Sequence, residues 1–174
     1  IFFLWAPIHW DDRCTHFLVF EEPDGRQWHT DAMVVPVHDG TTPPVVDPDV
    51  QVLPGATHEL VYEAGTRRMK EGRLALVDHD GSRLEIDIEP LICFRMKGIG
   101  YQHPVWGHGM WRGELAIGGE SWKCSDLDEN TLENQHIQQV MRARCGNDVG
   151  VGVLEQICIG PFPKYGLTGF LDPA

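Results

Sequence analysis

The stretch RLEIDIE at residues 83–89 decides the fold class, because apolar and acidic side chains alternate strictly after its first residue. Successive side chains of a β-strand point to opposite faces, so Leu84, Ile86 and Ile88 share one face. The opposite face carries only carboxylates, which we expect to be solvated and to have no further role. The pattern predicts a half-buried strand whose apolar face lies in a core.

Turn signals beside such strands predict antiparallel hairpins. Residues 79–82 read HDGS, and Asp-Gly readily adopts the positive φ angles of a tight turn, so a strand at 74–77 precedes the first one. In the same way, PDG at residues 23–25 connects a strand at 17–21 to one that begins at residue 27 and continues towards residue 37.

Four further strands are predicted from short apolar runs: residues 58–62, 67–70, 91–96 and 110–117. A stretch at residues 98–109 separates the last two and is too rich in glycine for a helix. Residues 39–54 are rich in proline and have few periodic apolar positions, so we expect an irregular connection or a short extended edge there.

Two structures compete for residues 126–144. Ser125 is a suitable helix cap, and a roughly helical stripe follows it: Glu129, Leu132, His136, Ile137, Val140 and Met141. In the alternative, residues 135–144 form a strand that a turn connects to a second strand at 149–159. The period-2 alternation favours this hairpin, with a short helical turn near residues 126–132.

Nine or ten short strands at regular spacing are typical of an antiparallel sandwich or barrel. We therefore predict an all-β fold, and 174 residues suit a single domain that covers residues 1–174. The sequence lacks both the βαβ alternation and the glycine-rich phosphate loops of nucleotide-binding folds.

The charge balance excludes one class of partners. Lys plus Arg total 14 against 26 Asp plus Glu, and the resulting net charge of -12 repels nucleic acid and acidic membrane surfaces. The opening run IFFLW at residues 1–5 is too short for a membrane span and lacks the features of a signal peptide. We expect a cytoplasmic protein. Because a buried strand is predicted at the very first residues, we also expect this sequence to be a piece of a longer polypeptide.

The cysteines give no sign of a disulfide framework or a zinc ribbon, because there are five of them at wide spacings without a C-x-x-C pair. We expect buried, apolar thiols in a reducing compartment.

The densest group of aromatic and polar side chains lies at residues 98–114. Three of them combine an apolar body with a polar tip and predict a ligand cavity: Tyr101, Trp106 and Trp111. His103 and His108 are candidates for proton transfer there, and their spacing matches no common metal site, so no metal is expected. The alternative is a bulged strand corner where the histidines bond to the backbone and the tryptophans fill the core.

Glu155 is the most specific single candidate for a catalytic residue. On the predicted strand at 149–159 it shares a face with four apolar side chains: Val151, Val153, Ile157 and Ile159. Burial in apolar surroundings favours the protonated carboxyl, which makes Glu155 a candidate acid. An ion pair with Arg142 or Arg144 on the neighbouring strand, or a face that points outward, are the alternatives.

A third polar cluster ends the first strand. Asp11 and His9 are candidates for an acid/base pair, whereas an ordinary turn with an ion pair to Arg13 is the alternative. His136, on the predicted strand at 135–144, is a further candidate to line a cavity.

Three blocks resemble one family: WAPIHWDDRCTHF at residues 5–17, GYQHPVWGHG at 100–109, and GVGVLEQ at 150–156 with GFLD at 169–172. They resemble the C-terminal half of proteins in the hydroxyneurosporene synthase (carotenoid hydratase) and AttH superfamily. The resemblance implies an antiparallel, lipocalin-like β-barrel, one of a pair in a longer protein, which binds an isoprenoid, steroid or polyketide. A preceding half of such proteins usually carries an Arg-Asp-His-Ser-Trp-Gly block, which this chain lacks, so we expect the barrel to pack on a missing N-terminal barrel.

We therefore expect a domain that binds an apolar small molecule and hydrates, dehydrates or isomerises it by protonation, without a metal or other cofactor. The expected acids and proton relays are Glu155, Asp11, His103 and His108. The expected ligand contacts are Tyr101, Trp106, Trp111, His9 and His136. The aromatic faces of Tyr101, Trp106 and Trp111 would stabilise positive charge. A carrier or sensor without chemistry is the main alternative, a purely structural half-barrel is another, and a homo-oligomer is left open.

Overall fold

Antiparallel β-strands make up almost all of the regular structure in this computed structural model, which describes residues 1–38, 40, 50–95, 101–107 and 109–174. Within those residues the nine strands are β1 (Phe2–His9), β2 (Arg13–Glu21), β3 (Gln27–Pro36), β4 (Gln51–Leu53), β5 (Gly55–Tyr62), β6 (Met69–Val77), β7 (Arg83–Phe94), β8 (His136–Cys145) and β9 (Asp148–Cys158). Single 3₁₀ turns lie at Cys124–Asp126, Leu132–Asn134 and Pro163–Tyr165. Among the described residues, no helix has the length and apolar character needed to cross a membrane.

The strands form one sheet in the order β4-β3-β2-β1-β9-β8-β7-β6-β5. The sheet curls until β5 lies beside β2 and β3, where the Gln27 amide donates hydrogen bonds to the Ala56 carbonyl (2.8 Å) and to Glu21 (2.9 Å). Side chains therefore bridge the seam that the backbone leaves open. The predicted all-β fold is confirmed, and of its two forms the structure adopts the nearly closed barrel.

Large apolar side chains fill the interior of the barrel. The pattern of RLEIDIE is confirmed, since Ile86 and Ile88 are buried and the intervening carboxylates are exposed. On other strands the inward positions include five side chains with at most 1% exposure: Leu4, Ile8, Phe17, Met141 and Leu154. Truncating one such side chain to alanine costs about 2–5 kcal/mol, so this packing dominates the stability of the fold.

The local turn predictions are confirmed. Gly25 and Gly81 take the positive φ angles of 82° and 84° that their hairpins require. The competition at residues 126–144 resolves to the hairpin of β8 and β9, in which Gly146 has a φ of 59°. Residues 51–53 form the short edge strand β4 on β3, while residues 39 and 41–49 lie outside the described part of the chain.

Two predictions about the chain are wrong. Residues 110–117 form no strand, and their side chains are among the most exposed, with Leu115 at 80% and Ile117 at 85%. A short apolar run makes no strand when no neighbouring backbone supplies hydrogen bonds. The five cysteines are free, but only Cys158 is buried, and Cys124 is exposed.

The C-terminal residues 159–174 close one end of the barrel. Phe162 and Leu167 are buried there, and Phe162 stacks on Phe2 with ring centroids 3.9 Å apart. Arg67, only 1% exposed, donates to the backbone carbonyls of four residues: Cys158, Gly160, Gly169 and Asp172. A buried guanidinium thereby has its charge distributed over carbonyl dipoles, and the segment is held across the opening.

Candidate functional site

A cleft opens where the backbone pairing between β6 and β7 stops. The ladder between these strands extends from Val77 opposite Arg83 only as far as Gly72 opposite Ile88. Beyond it, β6 stays paired with β5, and β7 stays paired with β8. The gap between them, here called the lateral cleft, has a volume of about 570 Å³ and is lined by residues within 63–70 and 90–95 and by Gln139.

Pro90 provides the local reason for the gap. The pairing of β7 with β8 shifts register between Pro90 and Ile92, which marks a bulge in β7. A bulge bends a strand, and proline has no N–H group to offer to a neighbouring strand. The second half of β7 therefore follows β8 and leaves the first residues of β6 without a partner on that side.

Glutamine side chains from inside the barrel bond to the backbone at the start of β6. The Gln139 amide donates to the Met69 carbonyl at 2.8 Å, and the Met69 N–H donates to Gln156 at 3.3 Å. Gln139 is only 2% exposed, and its Oε1 has no hydrogen-bond partner in the described structure. A buried acceptor without a partner costs about 1–3 kcal/mol, so Gln139, which lines the lateral cleft, holds a polar atom whose hydrogen-bonding capacity is unused.

Charged and apolar side chains share the rim of the lateral cleft. Arg68 and Arg95 both donate to the Glu129 carboxylate, and Arg68 also pairs with Glu63. Burial raises the pKa of Glu129, but the hydrogen bonds from the two guanidinium groups outweigh it and hold the pKa below its ordinary value. Apolar rim residues on β7 are exposed: Leu91 at 45%, Ile92 at 62% and Phe94 at 48%.

Cys93 lies on the same part of β7. Its thiol pKa is raised, mainly by burial, against the opposing effect of the nearby arginines. The thiol is therefore protonated at neutral pH, which makes Cys93 a packing contact of the site rather than a nucleophile.

A small chamber of about 20 Å³ adjoins the lateral cleft and shares Arg68, Cys93 and Arg95 with it. That volume suits about one water molecule. His136 lines the chamber, and its Nε2 lies 3.1 Å from Glu155 Oε1. The structure thus brings together two residues that the sequence put forward separately.

The pair of His136 and Glu155 is held from two further sides. The Gln138 amide donates to Glu155 Oε2 at 2.7 Å, because β8 and β9 place these residues directly opposite each other. The Tyr101 ring meets the His136 ring edge-on, with centroids 4.6 Å apart. The His136 and Glu155 side chains are only 4% and 8% exposed, so this is a nearly dry carboxylate–imidazole pair.

The expectation that Glu155 is protonated is wrong. Burial does raise its pKa, but the hydrogen bonds and charge of His136 and the bond from Gln138 outweigh burial, so the pKa is lowered. Glu155 shares a face with Val151 as predicted, but that face is the outer face of the barrel, as in the alternative of a face that points outward. The face is covered at Glu155, although Val151 is 53% exposed. The alternative pairing with Arg142 or Arg144 is replaced by the pairing with His136.

His103 performs a structural task. Its Nδ1 accepts hydrogen bonds from the backbone N–H groups of Val105 (3.0 Å) and Trp106 (2.9 Å). An acceptor nitrogen carries no proton, so the proton is on Nε2, which donates to Glu120 at 3.0 Å. His103 therefore bonds to backbone, as in the alternative to a proton-transfer role, but its partners are N–H groups rather than carbonyls, and residues 101–107 form turns rather than a strand corner.

Trp106 lines a second pocket, formed within residues 103–122, of about 460 Å³. Gly118 crosses its ring so closely that a Cβ atom at that position would overlap the indole. Trp122 and Ile117 complete the apolar wall. The predicted cavity of the glycine-rich stretch is therefore present in part, but it is separate from Glu155.

The remaining predicted site residues are not brought to this site. His9 lies opposite Val151, at the far end of the barrel from His136, and its Nδ1 is 3.1 Å from the Cys14 thiol. Asp11 is exposed at the adjacent turn and has no recorded bond to His9 in the described structure. Trp111 is 79% exposed, and His108 lies outside the described residues.

Four residues of this site were not predicted from the sequence: Arg68, Arg95, Glu129 and Gln139. Two signals were present, namely a proline between two predicted strands and a glutamine on the same strand face as Met141. Neither signal names a function by itself, because the partners of Gln139 and Glu129 are distant in sequence.

The fold and the lateral cleft define an all-β barrel domain with a side opening of ligand size. The chain belongs to the family described as "Family of unknown function (DUF8625)", whose model matches residues 1–168. No curated protein and no solved structure matches the chain. In the described part of the chain, no group of three or more His, Cys, Asp or Glu side chains is arranged to hold a metal ion.

Proposed function

We propose that this domain binds a largely apolar small molecule in the lateral cleft. The observation that carries the proposal is the break in pairing between β6 and β7, which opens a cleft of about 570 Å³ beside the buried side chain of Gln139. That volume lies within the range of small-molecule sites. Apolar walls with few polar groups are also typical of such sites.

The packing of the barrel supports a ligand in the side opening rather than at the centre. Interior positions are occupied by large side chains such as Phe17 and Leu154, and residues 159–174 close one end. The isoprenoid, steroid or polyketide that the family resemblance implied fits the apolar rim at Leu91 and Ile92. The second barrel, the homo-oligomer and the cytoplasmic location stay predictions from the sequence.

A neutral fluorescent dye such as Nile red tests the proposal. Ile92→Glu places a charge on the rim and should weaken dye binding about tenfold, since burial of such a side chain is worth about 1.5–3 kcal/mol. Val52→Glu on β4 is the matched control, because Val52 and Ile92 are both 62% exposed β-branched residues. Absence of binding by the parent protein, or equal losses in both variants, would contradict the proposal.

Proton transfer at the pair of His136 and Glu155 is a second candidate function, favoured by the contact of His136 with the small chamber that adjoins the lateral cleft. The hydrogen bond to Glu155, whose pKa is lowered by His136 and Gln138, orients the imidazole, so His136 rather than Glu155 transfers the proton in this proposal. The reaction class remains hydration, dehydration or isomerisation of an apolar substrate.

Native mass spectrometry of the purified protein separates a carrier from an enzyme. Recovery of an unaltered ligand supports carriage, whereas a product formed from added ligand supports catalysis. For an identified substrate, His136→Gln should reduce kcat while leaving Nile red binding intact. Unchanged turnover in both His136→Gln and Glu155→Gln would refute the catalytic proposal.

A further inference from the structure

We infer that the lateral cleft selects ligands with a carboxylate group, which Arg95 and Lys70 bind while the apolar body lies along β7. This inference rests on the proposed function, because it names the chemical class of the molecule that the cleft takes. It is carried by the geometry of the arginines, by the local charge and by the arrangement of apolar side chains.

Arg95 has unused hydrogen-bonding capacity. Arg68 directs Nε, Nη1 and Nη2 to the carboxylates of Glu63 and Glu129. Arg95 makes its recorded bonds to Glu129 through Nη1 alone, and its side chain is 30% exposed. A guanidinium has five N–H donors in a planar fork, so Arg95 retains the Nε and Nη2 edge that binds a carboxylate with two parallel bonds.

The local charge also favours an anion. Three cations line the lateral cleft, namely Arg68, Lys70 and Arg95, against the carboxylates of Glu63 in the cleft and Glu129 in the adjoining chamber. One positive charge is therefore left over, in a chain whose net charge is -12. Lys70 makes no recorded ion pair with a described residue and is exposed, so it is available to a ligand.

The position of the polar and apolar groups sets the orientation of the ligand. Gln139 Oε1 is an acceptor and does not bind a carboxylate, so the anion belongs at Arg95 and Lys70. Met69, Pro90 and Ile92 supply the contacts for an apolar body. The lateral cleft therefore combines a cationic end with apolar contacts, and it suits an amphipathic acid better than a plain hydrocarbon.

The test compares decanoate with 1-decanol as competitors of bound Nile red, since the two share a ten-carbon chain and differ only in the head group. The parent protein should release the dye at about tenfold lower concentrations of decanoate, because the carboxylate makes charge-assisted hydrogen bonds that the hydroxyl lacks. Arg95→Gln should remove this preference, and Lys70→Gln should reduce it. Arg26→Gln is the control, because Arg26 is exposed and its one recorded ion pair is with Glu22.

Glu129→Gln gives a test of opposite sign. It keeps the shape of the side chain but removes the carboxylate that competes for Arg68 and Arg95, so decanoate should bind more tightly than to the parent protein. Equal displacement by both competitors, with no effect of Arg95→Gln or Glu129→Gln, would overturn the carboxylate inference and leave the proposed function standing. Failure of the parent protein to bind Nile red and either competitor would instead overturn the proposed function.

Discussion

The barrel holds two buried glutamate–histidine pairs with almost the same geometry and different surroundings. Glu21 and His58 meet at 2.9 Å with side-chain exposures of 4% and 1%, and Glu155 and His136 meet at 3.1 Å with exposures of 8% and 4%. In both glutamates the pKa is lowered, because the bonds to histidine outweigh the effect of burial. The chemistry of the pair itself therefore does not distinguish the two places.

The neighbours of the two histidines do distinguish them. His58 Nδ1 bonds to the Tyr165 hydroxyl at 2.6 Å, and Phe2 stacks on the ring with centroids 5.1 Å apart. That pair lies under the C-terminal segment and ties it to the barrel. His136 instead lines the chamber of about one water molecule beside the lateral cleft, so of these two pairs it is the one on the outer face that lies near the proposed ligand site.

Removal of the pair of Glu21 and His58, here called the inner pair, should have the largest effect on stability. Glu21→Leu leaves His58 without its acceptor and Gln27 with one bond fewer, and the free energy of unfolding should fall by about 3 kcal/mol. Urea unfolding followed by tryptophan fluorescence measures the change. A loss below about 1 kcal/mol would show that the inner pair is not the structural one.

The matched change in the pair of Glu155 and His136, on the outer face, should lower the free energy of unfolding by less. Glu155→Leu also removes one partner of a buried histidine, but His136 borders a chamber and Gln138 is only half-buried, so we expect a loss of about 1–2 kcal/mol. The same unfolding measurement applies. A larger loss than that of Glu21→Leu would reverse the comparison between the two pairs.

The smallest expected effect is a dependence on acidic pH. A glutamate whose pKa in the folded protein lies below the ordinary 4.5 contributes stability above that value and loses it as the pH falls through the folded pKa. Glu21→Gln and Glu155→Gln should each flatten the fall in unfolding free energy below about pH 4.5. Unchanged slopes in both variants would contradict the lowered pKa values.

Part of the site followed from local patterns, and part did not. Alternation grouped Glu155 correctly with Val151 on one face of β9, but that face is the outer face, which was the alternative to the expected apolar interior. It also placed Gln139 among apolar neighbours on β8. The protonation state of Glu155 was predicted wrongly because the pairing with His136 depends on the register between the two strands. Burial alone raises a carboxyl pKa, and only the neighbouring strand supplies the donors that lower it.

The sequence by itself determined the all-β class, the hairpins and the faces of the strands, because these depend on a period of two residues and on turn chemistry within a few residues. Only the tertiary structure decided the lateral cleft and the two glutamate–histidine pairs. Their contacts join residues far apart in the chain, such as Gln139 with Met69, Arg68 with Glu129, and His58 with Glu21. Such contacts depend on where barrel closure and the bulge at Pro90 bring the strands, which no local pattern specifies.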